Sequence, residues 1–364
     1  MKNIVVIGCG AVLERCHRKP LQCLAAKLGW NVAGLVDPST ERLAKAKRWF
    51  PSAEGFADVA TCYARLEQVL LTVITSPPPL HAPHAQAAFA HGSHVLCEKP
   101  LAGSLADAER MVQAARRHRK VLALGMTRRF YSCLVEARRR LLGRSLGDNL
   151  TFIYREGGVY GWPVATVAPF RRESSGGGVL LDKGVHALDS LSFLFGAGRV
   201  VANADDGPIH SVEANAVTEL RFERASGTMQ LSWDMNLNNG LHIRGSEGEY
   251  WLPVGPLDLL FSRESSRSEW RREKVRVQWP LDLQPQKGGV ECPVDYNDCF
   301  NFQLAQTLRA VCLGEAPAAT AEDGAATMRL IEEAYQMAAP LPKPWLTGAE
   351  QAALNEHHWR RSKA

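Results

Sequence analysis

The first 125 residues alternate between short apolar runs and longer stretches with the spacing of an amphipathic helix. The runs predict strands at residues 4–7, 32–36, 69–74, 93–97 and 121–124, and the intervening stretches predict helices at about 12–28, 82–91 and 105–118. Strands that alternate with helices are typical of βαβ units and a parallel sheet. Because these strands are almost continuously apolar, we expect both faces of the sheet to be buried.

The pattern changes after Gly125, where strand-like runs follow one another with few helices between them. The runs lie at 150–155, 216–222, 228–233, 241–244 and 274–279, with helices predicted at 134–142, 184–195, 295–313 and 321–338. Turn clusters of Gly, Pro, Asn and Ser separate the strands, which favours antiparallel pairing. The predicted fold is therefore α/β: a doubly wound parallel sheet in residues 1–126, then an α+β domain with a large, mostly antiparallel sheet in 127–364.

The composition argues against nucleic-acid binding and against a membrane-spanning segment. Of the 364 residues, 46% are hydrophobic and 22% charged, as in soluble globular proteins. The net charge of +5 is not gathered into the basic face that nucleic acids require, and there is no apolar run of ~18 residues that would span a membrane. Nine cysteines without a C-x-x-C pair, and an N-terminus that leads directly into the first strand, predict reduced thiols, no signal peptide and a cytoplasmic location.

The sequence Gly8-Cys9-Gly10 follows the first predicted strand and opens the first helix. Glycines in this position permit a tight turn and a close approach of a pyrophosphate, which the N–H groups at Ala11 and Val12 would then meet at the helix N-terminus. Leu13 stands where a third glycine usually follows, so a purely structural turn is the alternative.

An acidic residue, Asp37, ends the second predicted strand. A carboxylate there accepts hydrogen bonds from both hydroxyls of an adenosine ribose and repels a 2′-phosphate, so it favours NAD over NADP. The alternative is a turn aspartate that precedes Pro38.

Two loops leave the carboxyl ends of later strands, where ligands bind in a doubly wound sheet. The first contains Ser76, Pro77 and His81, and the second contains Glu98 and Lys99 followed by proline. A lysine near a positively charged nicotinamide could exchange a proton with a substrate hydroxyl near neutral pH. The alternatives are a helix-initiating turn for the first loop and a solvated ion pair for the second.

A glycine run at 176–178 leads into Asp182 and His186. Glycines allow the backbone to approach a ligand closely. A carboxylate and an imidazole four residues apart project from one face if the helix already runs through Asp182, and together they can relay a proton. The alternatives are an N-cap aspartate and a core histidine; no partner ligands have matching spacing, so no metal is expected.

Aromatic and arginine side chains precede this run. Tyr154, Tyr160, Trp162, Arg171 and Arg172 form a set that suits a sugar or a phosphate, since rings stack on pyranose faces and arginine binds oxyanions. Packing of the strands explains any single one of them equally well.

Taken together, these segments resemble the glucose–fructose oxidoreductase/inositol dehydrogenase (Gfo/Idh/MocA) family. The resemblance covers most of the chain: the glycine turn, the Ser-Pro-Pro-Pro-Leu-His loop, the segment 95–102 (V-L-C-E-K-P-L-A), the glycine run into Asp182-x-x-x-His186, and residues 295–335. It implies a Rossmann domain and a catalytic group of Lys99, Asp182 and His186, with Lys99 and His186 sharing the proton transfer. It also implies cofactor contacts at Gly8, Gly10, Asp37, Ser76, Pro77, His81 and Glu98. Arg129 and Phe130 are similar to positions that line the site, and Arg129 is expected to bind the cofactor.

The resemblance implies a dehydrogenase that uses NAD to oxidise or reduce a secondary hydroxyl or ketone of a sugar, amino sugar, sugar nucleotide or cyclitol. It further implies a homodimer or homotetramer assembled through the C-terminal sheet. Tyr160, Trp162 and Arg171 would join the catalytic residues in binding the substrate. Two alternatives stay open: an enzyme that keeps and recycles tightly bound NAD, as oxidoreductases and NAD-dependent glycosidases of the family do, and a non-catalytic regulator that senses NAD.

Overall fold

The computed structural model describes residues 2–163, 167, 170–207, 211–281, 283, 290–342, 347–349 and 352. The chain forms two compact units, the first of Met1–Tyr131 with Val277–Ala325 and the second of Ser132–Arg276 with Ala326–Ala364. The sequence analysis divided the chain once, at residue 126, into two uninterrupted domains. The units of the structure are each made of two stretches of chain, because the segment 277–325 packs with the first unit.

A six-stranded sheet forms the centre of the first unit. Its strands are β1 (Lys2–Ile7), β2 (Trp30–Val36), β3 (Glu54–Phe56), β4 (Val69–Ile74), β5 (His94–Cys97) and β6 (Leu122–Leu124). Their order is β3-β2-β1-β4-β5-β6, and every pairing is parallel. The structure confirms the doubly wound parallel sheet, in which the chain crosses over between β1 and β4 and places their carboxyl ends side by side.

Helices connect these strands. The opening helix spans residues 11–27 and contains two π-helical stretches, Leu13–His17 and Pro20–Ala25; it is followed by α1 (Thr40–Trp49), α2 (Val59–Arg65), α3 (His81–Ala90) and α4 (Leu105–His118). Ser39 caps α1, where its side chain accepts a hydrogen bond from the N–H of Arg42. Ser104 caps α4 in the same way.

The later strands form a nine-stranded sheet in the second unit and a separate pair. They are β7 (Leu150–Glu156), β8 (Gly198–Asp205), β9 (Asn215–Phe222), β10 (Ala225–Ser232), β11 (Gly240–Gly245), β12 (Gly248–Pro253), β13 (Leu259–Arg263), β14 (Arg271–Lys274), β15 (Trp279–Pro280), β16 (Val290–Glu291) and β17 (Ala338–Pro340). The large sheet has the order β14-β13-β12-β11-β7-β10-β9-β8-β17, while β15 pairs with β16. Its pairings are antiparallel except β7 with β10 and β8 with β17, which confirms the mostly antiparallel prediction.

The predicted strand at 274–279 is wrong. The alternating valines at 275 and 277 suggested a strand, but pairing with β13 ends at Lys274, after which the N–H of Val275 donates to the carbonyl of Asp258 instead. The next strand begins only at Trp279.

The remaining helices are α5 (Ser132–Leu142), α6 (Arg172–Ser175), α7 (Val185–Phe195), α8 (Asp298–Leu313) and α9 (Ala321–Gln336). In the second unit, Phe195 of α7 packs on Phe152 of β7 and Phe222 of β9, with ring centroids 5.4 and 6.1 Å away. In the first unit, buried Leu304 and Leu308 of α8 join the core around β1, which explains why the segment 277–325 belongs there. None of the helices in the described ranges has the length and hydropathy needed to cross a bilayer.

Candidate cofactor and catalytic sites

The glycine turn after β1 has the geometry of a cofactor loop. Gly8 has φ +99°, and a Cβ there would stand 2.6 Å from the backbone nitrogen of Ser76, so the position accepts only glycine. At Gly10, by contrast, a Cβ would have no neighbour within 4 Å. The opening helix begins at Ala11, and the first N–H groups of a helix have no acceptor within it. The open space at Gly10 therefore adjoins free donors, which fits a pyrophosphate.

Asp37 lies at the carboxyl end of β2 and is buried. Its Oδ2 accepts the N–H of Cys9 at 2.8 Å, and its Oδ1 accepts the N–H of Ser39 at 2.9 Å. The carboxylate thus joins the glycine turn to the start of α1. Since a carboxylate offers about four lone-pair sites, it retains acceptors for a pair of ribose hydroxyls.

His81 and Ser76 hold the loop that follows β4. The buried imidazole of His81 lies with Nε2 2.7 Å from the carbonyl of Ser76 and Nδ1 3.0 Å from the carbonyl of Pro100, so it connects the loops after β4 and β5. Burial lowers the pKa of His81. Burial also lowers the pKa of His84 to about 4, and Nδ1 of this ring lies 3.0 Å from the Ser76 hydroxyl oxygen. The contacts of His81 thus give it a role in holding these loops.

Glu98 is anchored from the opening helix. Its Oε1 lies 2.7 Å from Nε2 of buried His17, and its Oε2 accepts the backbone N–H of Lys99 at 3.1 Å. Burial alone would raise the pKa of Glu98, but the hydrogen bond and charge of His17, with those of Lys99, bring the pKa below its usual range. The carboxylate therefore stays ionised and fixes the backbone from which the half-buried Lys99 projects.

The sequence reasoning missed His17. Its ring also packs edge-on against Phe300 of α8, with centroids 5.5 Å apart. The sequence does carry a sign of this role: His17 lies one turn after Leu13, on the apolar face of the predicted helix. An imidazole on that face is buried and therefore requires a polar partner.

Arg129, the predicted cofactor contact that follows β6, is buried and paired with a carboxylate. It is buried in the short helical turn Thr127–Phe130 and forms an ion pair with Asp323 at 3.4 Å. The adjacent Phe130 packs against Trp279 at 5.1 Å between ring centroids.

In the second unit, Asp182 and His186 belong to one continuous helix. The helix runs from residue 179 to 195, with a π-helical stretch at Leu180–Gly184, so Asp182 lies inside the helix and is not its N-cap. Oδ2 of Asp182 accepts the indole N–H of Trp233 at 3.2 Å, while the half-buried His186 follows one turn later. The arrangement provides a carboxylate held by a neutral donor and an imidazole on the same helix.

Tyr160 joins this group, as the sequence suggested for a substrate-binding residue. Its N–H donates to the carbonyl of Trp233 at 2.8 Å, and its ring packs edge-on against the indole at 4.9 Å. Burial raises the pKa of Tyr160, and the negative charge of Asp182 adds to the rise. The sequence reasoning missed Trp233, since only the fold brings the end of β10 against Asp182.

The other predicted substrate residues lie elsewhere on the second unit. Trp162 is 41% exposed, and Arg171 is exposed at the start of α6, where its carbonyl accepts the N–H groups of Ser174 and Ser175. Tyr154 is buried, and its hydroxyl donates to Glu156 at 2.5 Å. The structure thus brings Tyr160 to Asp182 and places Trp162 and Arg171 at exposed positions.

Packing within the protein explains why glycines occur at 177 and 178, where the sequence analysis expected the close approach of a ligand. A Cβ at Gly177 would collide with the hydroxyl of Tyr335, and one at Gly178 would collide with the backbone of Glu213. These two glycines therefore make room for other parts of the protein at the start of the helix that carries Asp182 and His186. Within the described ranges, no group of three or more Asp, Glu, His or Cys side chains could hold a metal ion.

Comparisons with known proteins agree with this architecture. Residues 2–126 match the Gfo/Idh/MocA oxidoreductase family with its NAD-binding Rossmann fold, and residues 136–251 match the C-terminal domain of the same family. A D-glucoside 3-dehydrogenase of Escherichia coli K12 is 29% identical over 241 residues, which are 64% of this chain and 62% of that protein. A 1,5-anhydro-D-fructose reductase of Ensifer adhaerens is 26% identical over 322 residues, 81% of this chain and 85% of the relative.

Solved structures share the fold. A levoglucosan dehydrogenase in complex with NADH and levoglucosan superposes with a TM-score of 0.78 at 20% identity, covering 92% of this chain and 98% of the other. A 3-ketoreductase from Actinomadura kijaniata in complex with NADP and TDP-benzene gives a TM-score of 0.75 at 19% identity, covering 93% and 98%. Matches to both family domains, on a chain that has the family's two-sheet architecture, establish that this protein belongs to the Gfo/Idh/MocA family of NAD(P)-dependent oxidoreductases.

Proposed function

We propose that the enzyme uses NAD to oxidise or reduce a secondary hydroxyl or ketone of a polyhydroxylated ring. The observation that carries the proposal is the helix on which Asp182, held by Trp233, lies one turn before His186. It occurs in a chain whose glycine turn and buried Asp37 fit a dinucleotide. Relatives named for glucosides and anhydrofructose support a sugar-like substrate.

The chain's own residues supply binding and proton transfer. Bound NAD supplies the acceptor for the hydride that leaves the carbinol carbon. In the oxidative direction, Lys99 takes the proton of the substrate hydroxyl and His186 shares it; in the reductive direction the same groups return it. Asp182 orients the substrate hydroxyl or His186, and Tyr160 contributes an aromatic face for the ring. Glu98 keeps the backbone at Lys99 in place through its bonds to His17 and the Lys99 N–H.

The proposal favours NAD over NADP because of Asp37. We expect the wild-type enzyme to prefer NAD by at least tenfold in kcat/KM, or ~1.4 kcal/mol, and Asp37→Ser to lose most of that preference. The substitution removes the negative charge that would repel the 2′-phosphate of NADP. It also removes an acceptor for the ribose hydroxyls of NAD. Because Asp37 also binds the N–H groups of Cys9 and Ser39, the variant's thermal stability is measured in parallel. A wild-type preference for NADP would contradict this assignment.

The reaction is tested by following NADH formation with a panel of glucosides, anhydrosugars, amino sugars, sugar nucleotides and inositols. The proposal predicts that at least one compound yields NADH in large excess over enzyme. Reduction of no more than one cofactor per enzyme, together with turnover of substrate, would support the recycling alternative. If no compound is turned over and Lys99→Met leaves the biological output of the protein unchanged, the regulator is the better explanation.

We also propose that the protein works in the cytoplasm as a homodimer or homotetramer assembled through the nine-stranded sheet. No disulfide joins any of the nine cysteines, all of which lie in the described ranges, and this suits a reducing compartment. The strands of this sheet carry partly exposed apolar side chains, among them Ile153 of β7 and Val201 of β8. Sedimentation analysis of Ile153→Glu against the wild type tests the assembly, since a charge in the interface should shift the protein towards monomer.

A further inference from the structure

The helix that carries Asp182 and His186 begins against a single buried side chain, Glu213. Its Oε1 accepts the N–H groups of Gly178 and Leu180, each at 3.0 Å. The main-chain carbonyl of Glu213 accepts the N–H of Val179, between them, at 2.9 Å. Three consecutive N–H groups at the start of the helix are therefore bound by one residue.

A second element fixes Glu213 in turn. The hydroxyl of Tyr335, on α9, donates to the same Oε1 at 2.8 Å. The guanidinium of Arg172 lies over the Tyr335 ring at 4.5 Å, and Gly177 leaves the space that the ring needs. Glu213 has no exposed surface, so water does not compete for these bonds.

The segment that contains Glu213 also reaches Asp182 by a second route. The carbonyl of the next residue, Ala214, accepts the N–H of Trp233 at 2.8 Å. Trp233 in turn donates its indole N–H to Asp182. Residues 213 and 214 thus fix both the start of the helix and the side chain that binds its carboxylate.

We propose that Glu213 is a positioning residue for the catalytic step: by holding the first turn of the helix, it sets the position of Asp182 and His186. This inference rests on the proposed function, because it takes these two residues to be catalytic. Displacing a reacting group by about 1 Å can cost roughly a hundredfold in rate. The role requires the reach of the side chain more than its charge.

Two conservative variants of Glu213 show whether the length of its side chain or its charge matters. Glu213→Gln keeps a carbonyl oxygen at the distance of Oε1, whereas Glu213→Asp keeps the carboxyl group but is one methylene too short. Burial raises the pKa of Glu213, and the nearby Asp205 carboxylate adds to the rise, so the neutral glutamine is a reasonable mimic. We expect Glu213→Gln to stay within about threefold of the wild-type kcat, and Glu213→Asp to lose roughly ten- to a hundredfold. KM for NAD should change little in either.

The matched control is Glu249, another buried glutamate of the second unit. Its carboxylate binds Arg263, Arg244 and His242 on the neighbouring strands. Glu249→Ala should lower the melting temperature and leave kcat of the folded protein unchanged. If Glu213→Asp behaves like Glu249→Ala, with lower stability and wild-type kcat, Glu213 is only structural and the inference is overturned.

Asp182→Asn and His186→Asn, assayed beside these variants, distinguish the two possible failures. If both retain wild-type rates, Asp182 and His186 are not catalytic, and the catalytic roles in the proposed function are wrong. If they lose activity while Glu213→Asp does not, the proposed function stands and the positioning role falls. Should Glu213→Asp not fold, Tyr335→Phe replaces it. This variant removes one donor to Oε1 and should lower kcat by roughly tenfold, whereas a kcat within about threefold of the wild type would contradict the inference.

Discussion

Replacing Lys99 by alanine is expected to lower kcat by roughly 10²–10⁴-fold, the usual contribution of a general acid or base. The side chain projects from a backbone whose position is set by Glu98, which is bound to buried His17. Removing the amine leaves those bonds and the glycine turn in place. The dissociation constant of NAD, measured by fluorescence titration, should therefore change little.

Lys27 provides the matched control for Lys99. It is exposed near the end of the opening helix, so Lys27→Ala removes a lysine from the same unit and should leave kcat unchanged. A Lys99→Ala enzyme with the wild-type kcat and a raised KM would mean that Lys99 only binds the substrate.

His186→Asn is expected to slow oxidation by roughly 10²-fold or more and to flatten or shift the acidic limb of the pH profile of kcat/KM. Only a neutral base can accept the proton of the substrate hydroxyl, so oxidation by the wild type should rise with pH. Asparagine keeps a polar group of similar reach but does not titrate. NAD affinity should hardly change, because His186 belongs to the second unit.

The control for this substitution is His242→Asn. His242 lies on β11 and binds Glu249 at 2.6 Å, so its loss should affect stability without altering the pH profile. If His186→Asn shows wild-type rates and an unchanged profile, His186 is a packed histidine, and Asp182 must partner Lys99 alone.

The elements with a strong local pattern were predictable from the sequence. β4 and α4 have the predicted bounds, since a continuous apolar run and a capped amphipathic helix are determined by neighbouring residues. β3 was missed because three residues show no period, and β12 and β13 were missed because buried and exposed residues do not alternate along them. The parallel pairing of β7 with β10 depends on contacts between residues 75 apart, which no local pattern encodes.

The candidate site shows the same division. The sequence alone pointed to the glycine turn, to Asp37 and to the Asp182–His186 spacing. Each is a short motif whose residue types suggest a chemical role directly. The sequence did not point to His17, Trp233 and Glu213, since each acts on a motif residue that is distant in sequence: His17 on Glu98, Trp233 on Asp182, and Glu213 on Gly178. The glycines at 177 and 178 were interpreted as ligand contacts because the sequence alone does not show Tyr335 and Glu213 packed against them.

The most direct measurement follows hydrogen from substrate to cofactor. A substrate found by the panel is labelled with deuterium at the carbon that is oxidised, and the NADH formed is analysed by mass spectrometry. The proposed function predicts deuterated NADH in large excess over enzyme from the wild type, and a strongly reduced yield in the same time from Lys99→Ala. Product formed while the cofactor in solution stays oxidised and unlabelled would contradict it.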